Sequence, residues 1–205
     1  MKYGLLVKKV HMDGKRYLTS EEVRESCAKV GVAYRDGINY LIRTWHLVRI
    51  LKGFFYMRSL EERKTSATNA NFFEALSKAL AHKKVDWYFG FDTALKLNNL
   101  THEYFPVDYV VSDKLFRSKP VNVLGHKVKF VKLKKSLFGF GVKTEGGISY
   151  SDLEKTILDI IYIRKHSGAA DAVIRDEIAE FVERASKKKL KRYAVRYPVS
   201  VRRIL

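Results

Sequence analysis

The 205-residue chain has no glutamine, one cysteine, three prolines and three methionines. The single Cys27 excludes an intramolecular disulfide and any multi-cysteine zinc site. No uninterrupted apolar run approaches the roughly 18 residues that a membrane span requires. The opening Met1-Lys2-Tyr3-Gly4-Leu5-Leu6-Val7-Lys8-Lys9 meets a charge too soon for a secretory h-region, so a soluble cytoplasmic protein with no membrane partner is expected. The shortage of thermolabile side chains fits a thermophile. His11, His46, His82, His102, His126 and His166 include no pair at metal-ligand spacing and no His-Glu-x-x-His pattern. There is no Gly-x-x-x-x-Gly-Lys-Ser/Thr loop and no Gly-x-Ser-x-Gly elbow. No metal, no cofactor and no enzymatic activity are expected.

Acidic residues are also scarce: 22 Asp and Glu face 40 Lys and Arg, a net charge of +18. Residues 1–60 carry +7, residues 61–110 carry −1, residues 111–150 carry +7 and residues 151–205 carry +5. A near-neutral stretch therefore separates basic blocks. Such an excess favours polyanions, because bound phosphates release their condensed counterions. The plainer alternative is a solvated, self-repelling surface. The apolar fraction of 46% is enough to build a core.

The first 60 residues read as three helices and a hairpin. A helix is expected over about 2–11, with Leu5, Leu6 and Val10 inward. Thr19-Ser20-Glu21-Glu22 spells a capping box for a second helix that runs to about Val30 and buries Val23 and Cys27. Gly31 suits the corner. In a third helix over about 33–46, Ile38, Leu41, Ile42 and Trp45 form one apolar stripe. Arg35, Asn39 and Arg43 fall at i, i+4 and i+8 on another face, with Tyr34 and Tyr40 at its edges. Residues 47–58 then read as a hairpin with Lys52-Gly53 at its tip.

Three helices and a basic hairpin make the pattern of a winged helix–turn–helix. A helix fits the major groove of DNA when an apolar stripe anchors it and polar side chains project outward. Tyr34, Arg35, Asn39, Tyr40 and Arg43 are therefore candidate DNA contacts on the helix, with Arg49, Lys52 and Arg58 on the wing. The alternative is a basic face used for protein contact.

Residues 59–71 read as a connector leading to a helix over about 70–82. Strand and helix signals then alternate: a strand at 86–91, a short helix capped by Asp92, and strands at 105–112 and 126–133. Asp152 starts a helix carrying Ile157, Leu158, Ile160, Ile161 and Ile163, and Gly168 closes it. A final helix begins near Asp171 and runs through Lys187, Lys188, Lys189, Lys191 and Arg192 into a basic tail. Those five residues, with Lys127, Lys129, Lys132, Lys134 and Lys135, are a candidate second basic surface for phosphate or RNA. Equally, the strand lysines could guard a sheet edge, and the terminal run could be a solvated helix face. Trp87, Tyr88, Phe89 and Phe91 read as a core strand rather than a base-stacking platform. Asp108, Asp113, Asp152, Glu154 and Lys155 could be assembled into a metal-dependent nuclease or nucleotidyltransferase-like site, but no spacing demands it. A nucleic-acid-processing enzyme with a winged-helix targeting domain is thus the alternative reading. The expected fold is α+β, a winged helix–turn–helix at 1–60 followed by a mixed α/β domain at 65–205.

Three stretches, in order, carry a family likeness. They are Leu47-Val48-Arg49-Ile50-Leu51-Lys52-Gly53-Phe54-Phe55-Tyr56; Trp87-Tyr88-Phe89-Gly90-Phe91-Asp92-Thr93-Ala94-Leu95 with Leu100-Thr101-His102-Glu103; and Ile148-Ser149-Tyr150-Ser151-Asp152-Leu153-Glu154-Lys155-Thr156-Ile157-Leu158-Asp159. With these the chain resembles the AbiE-type antitoxin family, transcriptional regulators of viral-defence systems. The resemblance implies an N-terminal winged helix–turn–helix, a C-terminal α/β antitoxin-like domain, and sequence-specific binding to inverted repeats in double-stranded DNA of the protein's own promoter. It further implies neutralisation of a nucleotidyltransferase toxin in a type IV toxin–antitoxin system, without an obligatory complex.

Overall fold

The computed structural model describes residues 2–65 and 67–205; Met1, in the expected first domain, and Ser66, in the expected connector, lie outside the described residues. The chain divides into two compact units. One runs to Lys83 and takes in Val123–Gly125, and the other comprises Lys84–Asn122 and His126–Leu205.

In the first unit, α1 (Lys2–Met12), α2 (Ser20–Lys29) and α3 (Tyr34–Arg43) pack beside an antiparallel sheet of β1 (Tyr17–Thr19), β3 (Phe54–Met57) and β2 (Leu47–Leu51), in that order. The capping box is formed: Thr19 Oγ1 accepts from Glu22 N at 3.2 Å, and Glu22 accepts from Thr19 N at 2.7 Å. Gly31 turns the α2–α3 corner at φ +66°. Leu6 and Val10 from α1, Val23 and Cys27 from α2, and Ile38 and Leu41 from α3 meet Leu18, Leu47, Phe55 and Met57 of the sheet in one core. Each such large aliphatic side chain, once buried, contributes about 1.5–3 kcal/mol.

In the first unit two elements are additional to the sequence expectation. Strand β1 adds a third member to the hairpin. Helix α4 (Leu60–Lys64) occupies the expected connector, with Ser59 and Glu62 forming a second capping box. Glu62 is buried and also accepts from Tyr56 Oη at 2.8 Å and from the backbone N–H of Asn69. Helix α5 (Phe72–His82) packs against β2 and β3, so the compact division falls after Lys83 rather than near residues 60–65.

The second unit is a six-stranded mixed sheet in the order β6-β7-β5-β4-β9-β8, flanked by helices. Its strands are β4 (Trp87–Phe89), β5 (Val107–Ser112), β6 (Val121–Val123, its last residue grouped with the first unit), β7 (His126–Lys132), β8 (Val142–Glu145) and β9 (Ile148–Ser151). Pairs β5–β7 and β4–β9 are parallel, whereas β4–β5 and β8–β9 are antiparallel. Helix α6 (Phe91–Leu97) follows β4, and α7 (Leu153–His166), α8 (Asp171–Arg184), α9 (Lys187–Ala194) and α10 (Val199–Arg202) complete the unit. Helix α7 is buried from Glu154 to Tyr162 and packs against α6, α8, α9 and α10, as its apolar surround predicts. The fold is thus mixed α+β. Among the described residues, no helix is long and apolar enough to cross a membrane.

Two helix starts differ from expectation. Gly90, not Asp92, is the N-cap of α6, and it makes no side-chain cap. A Cβ on Gly90 would lie 2.6 Å from Val111 Cγ2, so the strand–helix corner needs glycine there. The run from Lys187 is a separate helix capped by Ser186 Oγ, not an extension of α8. It buries Leu190, Tyr193 and Ala194, which a solvated tail would not do.

Candidate nucleic-acid interface

Helix α3 presents Arg35, Asn39 and Arg43 to solvent along one face, while Gly37, Ile38 and Leu41 are buried on the opposite side. The exposed face is not uniformly cationic. Asp36 shares a shallow cavity with Asn39, Tyr40, Arg43 and Tyr3. Tyr40 is half-buried and stacks on Tyr3 at 4.6 Å, so the first turn of α1 walls this side of the face. Tyr34 is half-buried as well: its hydroxyl donates to Ser20 Oγ at 3.1 Å, and the Arg24 guanidinium lies 4.8 Å above its ring.

The hairpin tip reaches the same corner. Ser20 N donates to Gly53 O at 3.0 Å, and a Cβ on Gly53, whose φ is +85°, would lie 3.2 Å from Ser20 Oγ. Lys52 is exposed, and the Lys83 ammonium donates to its carbonyl. Tyr34, Lys52 and Gly53 thus converge with Ser20, Arg24 and Lys83, side chains and backbone from α2, α3, the β2–β3 turn and the end of α5. Of these, sequence reasoning named Tyr34 and Lys52 as candidates and did not name Ser20, Arg24 or Lys83. The hydroxyl beginning α2 and the arginine one turn later were legible signals. Lys83 gave none, because its contact spans 31 residues of chain. Arg49 is exposed on β2, with its guanidinium 5.8 Å from the Phe55 ring.

Arg58 and Trp45 exchange the roles expected of them. Arg58 is buried rather than offered on the wing: Nε and Nη2 donate to Thr68 Oγ1 at 3.0 and 2.9 Å, and the guanidinium lies 4.5 Å from the Trp45 centroid. Burial pulls its pKa below the usual arginine value. Trp45 is outside the apolar stripe because α3 ends at Arg43; its φ is +63° and it is 52% exposed. Support for the exposed face comes instead from Ile38, Leu41 and the close passage of Gly37 over Cys27.

In the second unit, Lys127, Lys132, Lys134 and Lys135 are exposed, while Lys129 is half-buried and donates to the Ser118 carbonyl. Strand β7 lies between β6 and β5 in the sheet order, but the three-residue β6 can flank only part of its seven residues. On α9, Lys187, Lys188, Lys191 and Arg192 are exposed, whereas Lys189 turns in toward Asp152 at 3.4 Å and Glu154 at 3.5 Å.

The carboxylates weighed for catalysis hold structure. Asp152 caps α7 through Lys155 N at 3.0 Å and accepts from Tyr193 Oη at 3.2 Å. Glu154 accepts from Ser186 N at 2.9 Å. Lys155 is fully buried and donates to Leu137 O at 2.8 Å, Tyr197 Oη at 3.1 Å and Asp159 Oδ1 at 3.3 Å. Tyr88 and Tyr197 also donate to Asp159, at 2.7 and 2.6 Å. Burial, reinforced by the Asp159 charge, raises both phenol pKa values well above normal. Burial lowers that of Lys155, and Asp159 opposes the shift. Asp108 lies 3.3 Å from His126 Nδ1, and Asp113 accepts from Asp86 N at 3.1 Å. Among the described residues, no group of three or more His, Cys, Asp or Glu is placed to hold a metal.

No family model matches the chain, and neither does any curated protein. Among solved structures it is similar to the crystal structure of RV2827C protein from Mycobacterium tuberculosis, with 16% identity, a TM-score of 0.62, and coverage of 98% of this chain and 73% of that one. At this identity the likeness concerns fold alone.

Proposed function

We propose that the first unit is a winged helix–turn–helix and that the chain binds double-stranded DNA sequence-specifically as a transcriptional regulator. The observation that supports this most is the shared corner of Tyr34, Ser20 and the Lys52–Gly53 turn, which brings the hairpin tip beside the start of α3. In this reading Arg35, Asn39 and Arg43 meet base edges in the major groove, where arginine pairs with guanine and asparagine with adenine. Asp36 accepts from a cytosine amino group or repels misplaced phosphate. Lys52, Arg49, Arg24 and Lys83 hold the backbone, which sets register without reading sequence.

The family resemblance extends the proposal to an autorepressing antitoxin that acts on inverted repeats and counters a nucleotidyltransferase toxin without an obligatory complex. Selection from randomised duplexes tests the DNA reading. A recurring motif, present as two inverted half-sites, is the expected outcome; recovery of unrelated sequences overturns it. Co-expression with a neighbouring nucleotidyltransferase tests the antitoxin half, with restored growth expected.

A further inference from the structure

We propose that the second unit carries a cleft for single-stranded nucleic acid, separate from any duplex site on α3. The cleft, of roughly 510 Å³, is lined by Asp86, Trp87, Tyr88, Lys135, Phe138 and Val142. That volume is within the ~300–1,000 Å³ usual for ligand sites. Trp87 and Phe138 are half-buried, so each ring keeps surface to offer. Packing fixes both: Trp87 meets Phe89 edge-on at 5.6 Å, and Phe138 meets the buried Tyr88 ring edge-on at 5.4 Å. Tyr88 itself is fully buried, its hydroxyl committed to Asp159, so its ring braces Phe138 from the core side and the exposed aromatic surface is that of Trp87 and Phe138. Gly139 has φ +82° and open space where a Cβ would stand, so the rim is low beside Phe138.

Cations gather at the same end of the sheet. Asp113 N donates to Asp86 O at 3.1 Å and Leu133 N to Ser112 O at 3.0 Å, which brings the start of β4 beside the ends of β5 and β7. Lys114, Lys132, Lys134 and Lys135 leave those ends exposed. Asp86 is the carboxylate of the cleft, and the Lys135 ammonium lies 3.6 Å from it. Fixed aromatic surfaces beside lysines suit a chain whose bases are free to stack and whose phosphates pass the cations. A duplex hides its base faces and cannot use the rings.

The chain has two tryptophans, so Trp45→Phe leaves Trp87 as the one tryptophan, which is excited selectively over the tyrosines. This protein is titrated with oligouridylate RNA and oligothymidylate DNA of ~12 nucleotides, and with polyphosphate, in about 0.15 M salt. Both single strands should quench Trp87 saturably, and polyphosphate should not. A tighter RNA complex would assign the 2′-hydroxyl a role, and equal affinities would assign the site to either strand type. Phe138→Ala should weaken binding about tenfold or more. The paired exposed changes Lys134→Glu and Lys135→Glu, which leave the core intact, should do the same. Absent quenching, equal quenching by polyphosphate, or unchanged affinity in the lysine variant overturns the proposal. None of these readouts depends on α3.

Discussion

A methyl group on Gly37 would sit 2.4 Å from Cys27 Sγ and 3.1 Å from Leu6 Cδ2. Gly37→Ala should therefore destabilise the first unit by about 1–3 kcal/mol in urea unfolding, although alanine is the better helix former. Cys27→Ala in the same protein should recover part of that loss, because it removes the sulfur that collides. In the second unit, Lys155→Ala leaves Asp159 buried without its cation and should cost about 3–5 kcal/mol. The motif Asp152-x-Glu154-Lys155-Thr156, with Asp159 one turn on, is legible in sequence as a cap and a charge pattern. Its enclosure is not, because Leu137, Tyr193 and Tyr197 arrive from distant segments. Arg58 was misread for a related reason. A basic residue after a strand reads as exposed, and the partner that draws it inward, Thr68, lies ten residues later.

Among the elements, α2 and the β2–β3 hairpin were the most legible, since their capping box and glycine turn are local chemistry. The end of α3 was not. Its apolar spacing continues to Trp45, but the backbone turns left-handed there and the helix stops two residues earlier. Strand β1, at three residues, is too short to show a period, and α9 is divided from α8 at Ala185–Ser186, where charge alone reads as continuous. A histidine pair fastens α1 to the α3–β2 junction: His11 Nε2 lies 3.1 Å from His46 Nδ1. Burial first, then the Arg63 and His11 charges, lowers the His46 pKa to about 4. The folded unit therefore holds neutral His46 where the unfolded chain would protonate it. Stability should be full above about pH 6.5 and decline as pH falls toward about 4. Urea midpoints followed by Trp45 emission in a Trp87→Phe background check this, and His46→Gln should flatten the profile. For the hairpin, Lys52→Ala should weaken binding to every duplex and lower the salt slope by about one unit in anisotropy titrations.

At the scale of the whole molecule, the net charge of +18 is shared by both units, and each has its own proposed use for it. Charge supplies attraction to any polyanion; recognition needs side chains that meet particular base edges. In the proposed function it is the α3 face that does the reading. It is tested most directly by comparing wild type, Arg35→Ala and Asn39→Ala on the selected duplex and on a scrambled one, at a single salt concentration. Each substitution should cost about 1–3 kcal/mol on the selected duplex and almost nothing on the scrambled one. Equal affinity for the two duplexes, in the variants and in wild type alike, would contradict it.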